Sequence, residues 1–290
     1  MKGRGLKYFL WLLKLVITAA ILWFVFRKFS LGEVLSTILH LPLFVFFVML
    51  ITTVFKHFTQ YKNWKYSLLL NPRYDFRRSD VLSSYLIGNA LRFVIPGGTA
   101  TYGKMFYVQN SSKIASLLSV FSEKFFMTWT TWLFAGWAGL LYFGMVPLWF
   151  RVLFVAVCTS FPLLIYFGLG RFERTAALKP EYGRRAPRII GFQILYVCTT
   201  FLQMWVLLRG FFPITFLQTV QRIALTNFAN TIPITISGLG LRESFAIYFL
   251  EPAGFTAQQA VSATLTLFLF HDLVPALIGI IILLKTKKAL

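Results

Sequence analysis

Residues 8–26 run for nineteen positions with a single charge, Lys14. A bilayer needs about 20 such residues in a helix, so a run of this kind limits what the chain can become. The pattern recurs at 42–61, 125–144, 148–170, 189–208 and 257–284. A large soluble core is no alternative home for these runs. The chain is 58% hydrophobic and 13% charged, whereas soluble domains carry about 25% charged residues. No stretch is left for a separate soluble domain of roughly 100 residues. The chain therefore reads as an all-α polytopic membrane protein, one integral membrane domain over 1–290 with six to eight transmembrane helices. The first run is too long for a signal-peptide core, ends in Arg27-Lys28 and offers no clear small-residue cleavage site. It is expected to remain as a helix. The last run holds His271, Asp272 and Pro275, and reads as one kinked helix or two short ones.

Twenty-nine basic residues stand against nine acidic ones. In a soluble protein this balance suggests nucleic acid. Here eighteen of the basic residues sit in four clusters between or beside apolar runs: Lys2, Arg4 and Lys7; Lys56, Lys62, Lys65, Arg73, Arg77 and Arg78; Arg171, Arg174, Lys179, Arg184, Arg185 and Arg188; and Lys285, Lys287 and Lys288. All four face the cytoplasm if both termini do, and the inner, cytoplasmic membrane is the expected location. The third cluster makes 171–188 a basic cytoplasmic loop. No nucleic-acid motif accompanies the charge, and no nucleic-acid partner is expected.

That orientation creates a parity problem. Positions 80 and 124 must both lie near the cytoplasm, yet 81–120 between them is largely apolar. It is interrupted by Arg92, Pro96-Gly97-Gly98, Gly103 and Lys104. Neither half is long enough to span comfortably, so a re-entrant broken-helix pair is expected. Non-helical backbone at that depth must be buried in protein or line a cavity. The problem repeats at 214–250, broken around Pro233, Gly238 and Gly240. The two halves, 42–144 and 189–284, then form candidate inverted repeats. Each break is followed eight or nine positions after its proline by a basic residue, Lys104 and Arg242. Paired Gly/Pro-interrupted segments of this kind point to a transporter's substrate site.

Charges inside apolar segments need a reason. Those at depth are Arg92, Lys104, Glu123, Lys124, Arg222, Arg242, Glu243 and Asp272. A lipid phosphate entering the membrane would need cationic donors and free backbone N–H groups at helix N-termini. Lys104 and Arg242 are the first candidates to bind it, Arg92 and Arg222 the second. Glu123 and Glu243 would neutralise them or carry a proton. Glu243 is expected to point away from Arg242, since neighbours on a helix do not share a face. Asp272 reads as a cap for a half-helix. Cys158 and Cys198 read as two buried free thiols, and the three histidines, His40, His57 and His271, are far apart with no metal-ligand spacing. No metal and no cofactor is expected. No nucleophile elbow, zinc-protease helix or Walker loop is present, so no catalytic residue is named and an enzyme is not expected.

The stretch Ile87-Gly88-Asn89-Ala90-Leu91-Arg92-Phe93-Val94-Ile95-Pro96-Gly97-Gly98, the element Ser122-Glu123-Lys124-Phe125, and Ile232-Pro233 through Ser237-Gly238-Leu239-Gly240-Leu241-Arg242-Glu243 resemble the signatures of one family. It is the flippase-like membrane domain of lysylphosphatidylglycerol synthases, and the resemblance covers nearly the whole chain. It implies an integral membrane protein that moves lipids or assists their modification. Bifunctional members add a soluble domain that aminoacylates phosphatidylglycerol, and these 290 residues leave no room for one. Two departures stand out. Thr101-Tyr102-Gly103-Lys104 lacks the acidic residue usual after the first Pro-Gly region, and Lys124 replaces an Arg.

The leading expectation is a flippase or scramblase passing a phosphate-bearing or aminoacylated lipid headgroup through a central polar cavity. Its partner is then an anionic or aminoacylated phospholipid, or a polyprenyl-phosphate. Two alternatives remain open: an accessory subunit presenting such a lipid to a separate lipid- or glycosyl-transferase, and a membrane-embedded transferase. A homo-oligomer is compatible with each.

Overall fold

The computed structural model describes residues 39–92, 99–171, 173–228, 231–232 and 240–285, together with Gly32 and Ser36. The expected first helix, 8–26, and the breaks Pro96, Gly97, Gly98, Pro233 and Gly238 lie outside the described residues. The described chain is helical: α1 Leu43–Leu68, α2 Arg78–Leu91, a 3₁₀ segment Thr99–Tyr107, α3 Lys113–Tyr142, α4 Leu148–Leu169 and the single turn α5 Glu173–Ala176. There follow α6 Lys179–Arg209, α7 Phe216–Phe228, α8 Leu241–Leu250, and α9 Ala257–Phe268 running through a π turn into α10 Val274–Lys285.

Four of these are long and apolar enough to cross a membrane: α1, α4, α6 and the continuous α9–α10 unit, Ala257–Lys285. The fold is thus an all-α polytopic membrane architecture. By contrast α2 has 14 residues and α7 has 13. At 1.5 Å per residue α2 is about 21 Å long, short of a hydrocarbon core of about 30 Å.

The spanning helices are built inside out relative to a soluble bundle. On α1 the buried positions include Thr53, Lys56, Gln60, Asn63 and Ser67, alternately three and four apart, which is one helical face. Leu43, Phe44, Phe47, Leu50, Ile51 and Val54 are exposed, as suits a surface solvated by lipid. On α4 only Val155, Cys158 and Pro162 are buried.

Polar side chains join α1 to α6. Gln193 Oε1 accepts from Gln60 Nε2 at 3.2 Å and Asn63 Nδ2 at 2.5 Å. Gln203 Nε2 donates to Thr52 and Thr53 hydroxyls, each at 3.1 Å. The later residue of α6 pairs with the earlier residues of α1, so the two helices are antiparallel. Hydrogen bonds of this kind hold helices together where no hydrophobic gain between helices is available, at about 0.6 kcal/mol each.

Several expectations shift. Lys56 is not in a loop: α1 continues to Leu68, and Lys56 is 1% exposed in its interior face. Segment 171–188, expected as a loop, is largely helical. Pro180 sits in the first turn of α6, where its missing N–H costs nothing. Tyr182, Ala186 and Ile189 are buried on one face, and Glu181 pairs with Arg184 and Arg185. Helix α3 starts at Lys113 rather than near 125, with Ser112 Oγ accepting from Ala115 N–H as its N-cap. Cys158 is buried but Cys198 is exposed on α6.

The order long helix, short helix, second short segment, long helix occurs twice: α1 to α3, and α6 to α10. The packing is reciprocal. The long closing unit of the second set, through α10, packs on the short helix α2 of the first, while the closing helix α3 packs on the short helix α7 of the second.

Candidate functional site

Between these elements lies a cavity of about 40 Å³. It is lined from α1 by His57 and Gln60, from α2 by Tyr85, Gly88, Asn89 and Arg92 at its end, and from the 3₁₀ segment by Thr101 and Lys104. α3 contributes Glu123, Lys124 and Met127, α6 contributes Tyr196, and the π turn contributes His271 and Asp272. The volume holds a few waters; a lipid headgroup needs the surrounding segments to part.

Two ion pairs set its walls. Lys104 Nζ is bonded to Glu123 Oε2, both buried, and lies 3.9 Å from the centre of the Trp64 ring. Trp64 is itself fixed by donating its indole N–H to Ser84 Oγ at 2.9 Å. Gly88 is what lets α2 come this close to Lys104, because a Cβ there would meet the lysine stem at 2.9 Å. Opposite, Arg92 Nη1 bonds Asp272 Oδ1 at 2.7 Å.

Asp272 is held in place by a π turn. Pro275 has no N–H to give to the carbonyl four residues earlier, so the helix widens over Leu269–Leu273, and Val274 N–H reaches Leu269 O. The turn also brings in His271, whose Nδ1 lies 3.3 Å from Asp272 Oδ1 and whose Nε2 lies 3.3 Å from Tyr196 OH. Its ring stacks on His57 at 5.1 Å between centres, and His57 Nδ1 is 2.7 Å from Tyr85 OH. Asp272 is therefore an ion-pair partner across the two sets of helices, beyond the capping role expected of it.

Arg242 and Glu243 stand next to the cavity. Gly240 begins α8 with φ 81°, a left-handed value that favours glycine. Its N–H donates to Glu243 Oε2 at 2.6 Å. That bond turns Glu243 back over the helix start, where Oε1 accepts from Arg242 Nε at 3.0 Å and Nη2 at 2.7 Å. The expectation that Glu243 points away from Arg242 fails for this reason. The side chains meet over the open end of the helix, where the face rule for regular turns does not apply. Arg242 also lies 4.0 Å from Asp272 Oδ2, joining the cluster.

Of the six expected binding residues, the structure brings Arg92, Lys104, Glu123, Arg242 and Glu243 into one charged group with Asp272. Arg222 stands apart. Its Nη1 donates to Phe249 O at 2.6 Å, tying α7 to α8. Sequence reasoning did not single out Lys56, His57, Tyr85, Tyr196 or His271. The available signal was the polar stripe on α1, with Lys56 and His57 inside it.

The family described as "Lysylphosphatidylglycerol synthase TM region" matches residues 11–279. Comparison with curated proteins gave no match. The chain belongs to that family, an integral membrane protein related to lipid modification or transport.

Proposed function

We propose that the chain translocates a lipid by passing its headgroup through this cavity while the acyl chains stay in the bilayer. One observation carries the reading: a polar cavity walled by ion pairs stands between the two sets of helices inside a membrane protein. Charged groups at such depth are expensive and mark pathways for polar cargo. Arg92, Lys104 and Arg242 would bind the phosphate with their remaining donors, while Asp272, Glu123 and Glu243 hold them in place.

The two sets of helices serve as inverted repeats in this proposal. The antiparallel α1–α6 pair and the reciprocal packing of α2 on α10 and α7 on α3 support it. Rocking of one set against the other would open the cavity first to one side and then to the other. The short elements α2 and α7 would enter the membrane without crossing it. The basic residues favour a cytoplasmic-membrane protein with both termini inside.

The test is headgroup-labelled phospholipid translocation in proteoliposomes. Wild-type protein should speed lipid exchange between leaflets, and Arg92→Gln should slow it by at least tenfold with insertion unchanged. Equal rates with and without protein would overturn the proposal.

A further inference from the structure

We infer that the cavity takes the phosphate of an anionic lipid and turns away lipids whose headgroup carries a free ammonium. This rests on the translocation reading above and concerns which headgroup enters.

The charges decide it. Five cations meet in or beside the cavity: Lys56, Arg92, Lys104, Lys124 and Arg242. Three carboxylates meet them, and each is already engaged: Glu123 by Lys104, Asp272 by Arg92, and Glu243 by Arg242 and the Gly240 N–H. Lys56 and Lys124 are left over. Lys56 is 1% exposed, and its Nζ has Gln203 Oε1 at 3.4 Å and the Tyr196 ring at 4.8 Å. Among the described residues no carboxylate lies within 4 Å of it. Lys124 lines the cavity and has no ion pair among the described residues. Of the nine acidic residues in the chain, Glu33 alone is outside the described residues, and Asp75, Asp80, Glu173, Glu181 and Glu251 do not line the cavity. Counted by formal charge among the described residues, the group has two more cationic side chains than carboxylates.

Uncompensated charge at low dielectric is costly, and a bound phosphate relieves it. Side chains suited to such an anion are also waiting. Thr101 Oγ1 is buried, belongs to the cavity wall and has no hydrogen-bond partner among the described residues, and Asn89 brings a buried amide donor, Nδ2, to the same wall. An ammonium group would find the opposite. It needs a free carboxylate, and both carboxylates lining the cavity, Glu123 and Asp272, are taken. A lysylated phosphatidylglycerol brings one phosphate and two ammonium groups, which would add to the excess.

The experiment is calorimetric titration of the full chain in detergent with dioctanoyl phosphatidylglycerol, its lysylated form, dioctanoylglycerol and inorganic phosphate. Phosphatidylglycerol should bind at least tenfold more tightly than the lysylated lipid, and dioctanoylglycerol should bind far more weakly than either. Lys124→Gln should weaken phosphatidylglycerol about tenfold, the scale of a charge-assisted hydrogen bond. Lys124→Arg should retain the affinity, and Lys124→Glu should abolish the preference. Lys56→Gln should weaken the same lipid and guards against a folding defect peculiar to position 124. Equal or tighter binding of the lysylated lipid would overturn this inference while leaving translocation standing. Inorganic phosphate binding as tightly as the lipid would overturn it in favour of an ion site. Failure of every lipid to bind, with no exchange between leaflets, would overturn the translocation reading as well.

Discussion

Helix α10 meets α2 at Gly279, and the contact leaves no room for a side chain. A Cβ at Gly279 would stand 2.1 Å from the Leu86 backbone oxygen, 2.9 Å from Leu86 C and 3.0 Å from Ala90 Cβ. A carbon–oxygen contact needs about 3.3 Å, and the backbone of α2 cannot rotate aside. Gly279→Ala must therefore push α10 from α2 by about 1 Å. The Arg92–Asp272 bond, 2.7 Å long, crosses the same interface a turn or two away. A shift of that size would lengthen it to about 3.7 Å, beyond hydrogen-bond range. Overpacking of this kind costs about 1–3 kcal/mol, and a 1 Å misplacement of acting groups can cost about a hundredfold in rate. Lipid exchange in proteoliposomes should fall by one to two orders of magnitude, with a modest drop in thermal midpoint in detergent. Gly168→Ala, where nothing lies within 4 Å, is the control and should leave both unchanged or slightly raise stability. Wild-type exchange and an unchanged midpoint for Gly279→Ala would refute the claim that this contact sets the site's geometry.

Other substitutions separate binding from structure. Lys104→Met leaves Glu123 buried without its cation and should cost about 3–5 kcal/mol; adding Glu123→Gln should restore most of the thermal stability but not the lipid exchange. Arg222→Gln removes the bond to Phe249 O and should lower stability by about 1.5–3 kcal/mol while leaving lipid affinity within twofold by titration. Gly240→Ala forces a side chain into left-handed backbone, and should cost about 1–3 kcal/mol with a parallel loss of exchange as the Arg242–Glu243 arrangement slackens.

The architecture was legible because a bilayer reads length and apolarity directly. The runs at 42–61, 148–170 and 189–208 all fall within or closely match helices, and Pro275 explains the π turn in 257–284. Lys104 and Glu123 were visible because a charge in an apolar segment stands out. What escaped has physical reasons. Lys56 looked like part of a cytoplasmic cluster, since net charge along the chain does not show which face of a helix is buried. The polar stripe from Thr53 to Ser67 carried that information at helical spacing. His57 and His271 are stacked by the packing of the π turn on α1, a contact no local pattern encodes. Glu243 defied the face rule because Gly240 opens the helix start beneath it. Segment 179–188 passed for a loop because its basic residues hid the spacing of Tyr182, Ala186 and Ile189.

The central claim is that one cavity between the two sets of helices opens to both sides of the membrane. Thr101 lines that cavity and has no hydrogen-bond partner among the described residues, so Thr101→Cys is a small change at its wall. In a background carrying Cys158→Ser and Cys198→Ser, a membrane-impermeant thiol reagent should label Cys at this position from either side of oriented proteoliposomes. Phosphatidylglycerol with short acyl chains should slow both labelling rates. Labelling from neither side, or from one side alone whatever lipid is present, would contradict the account.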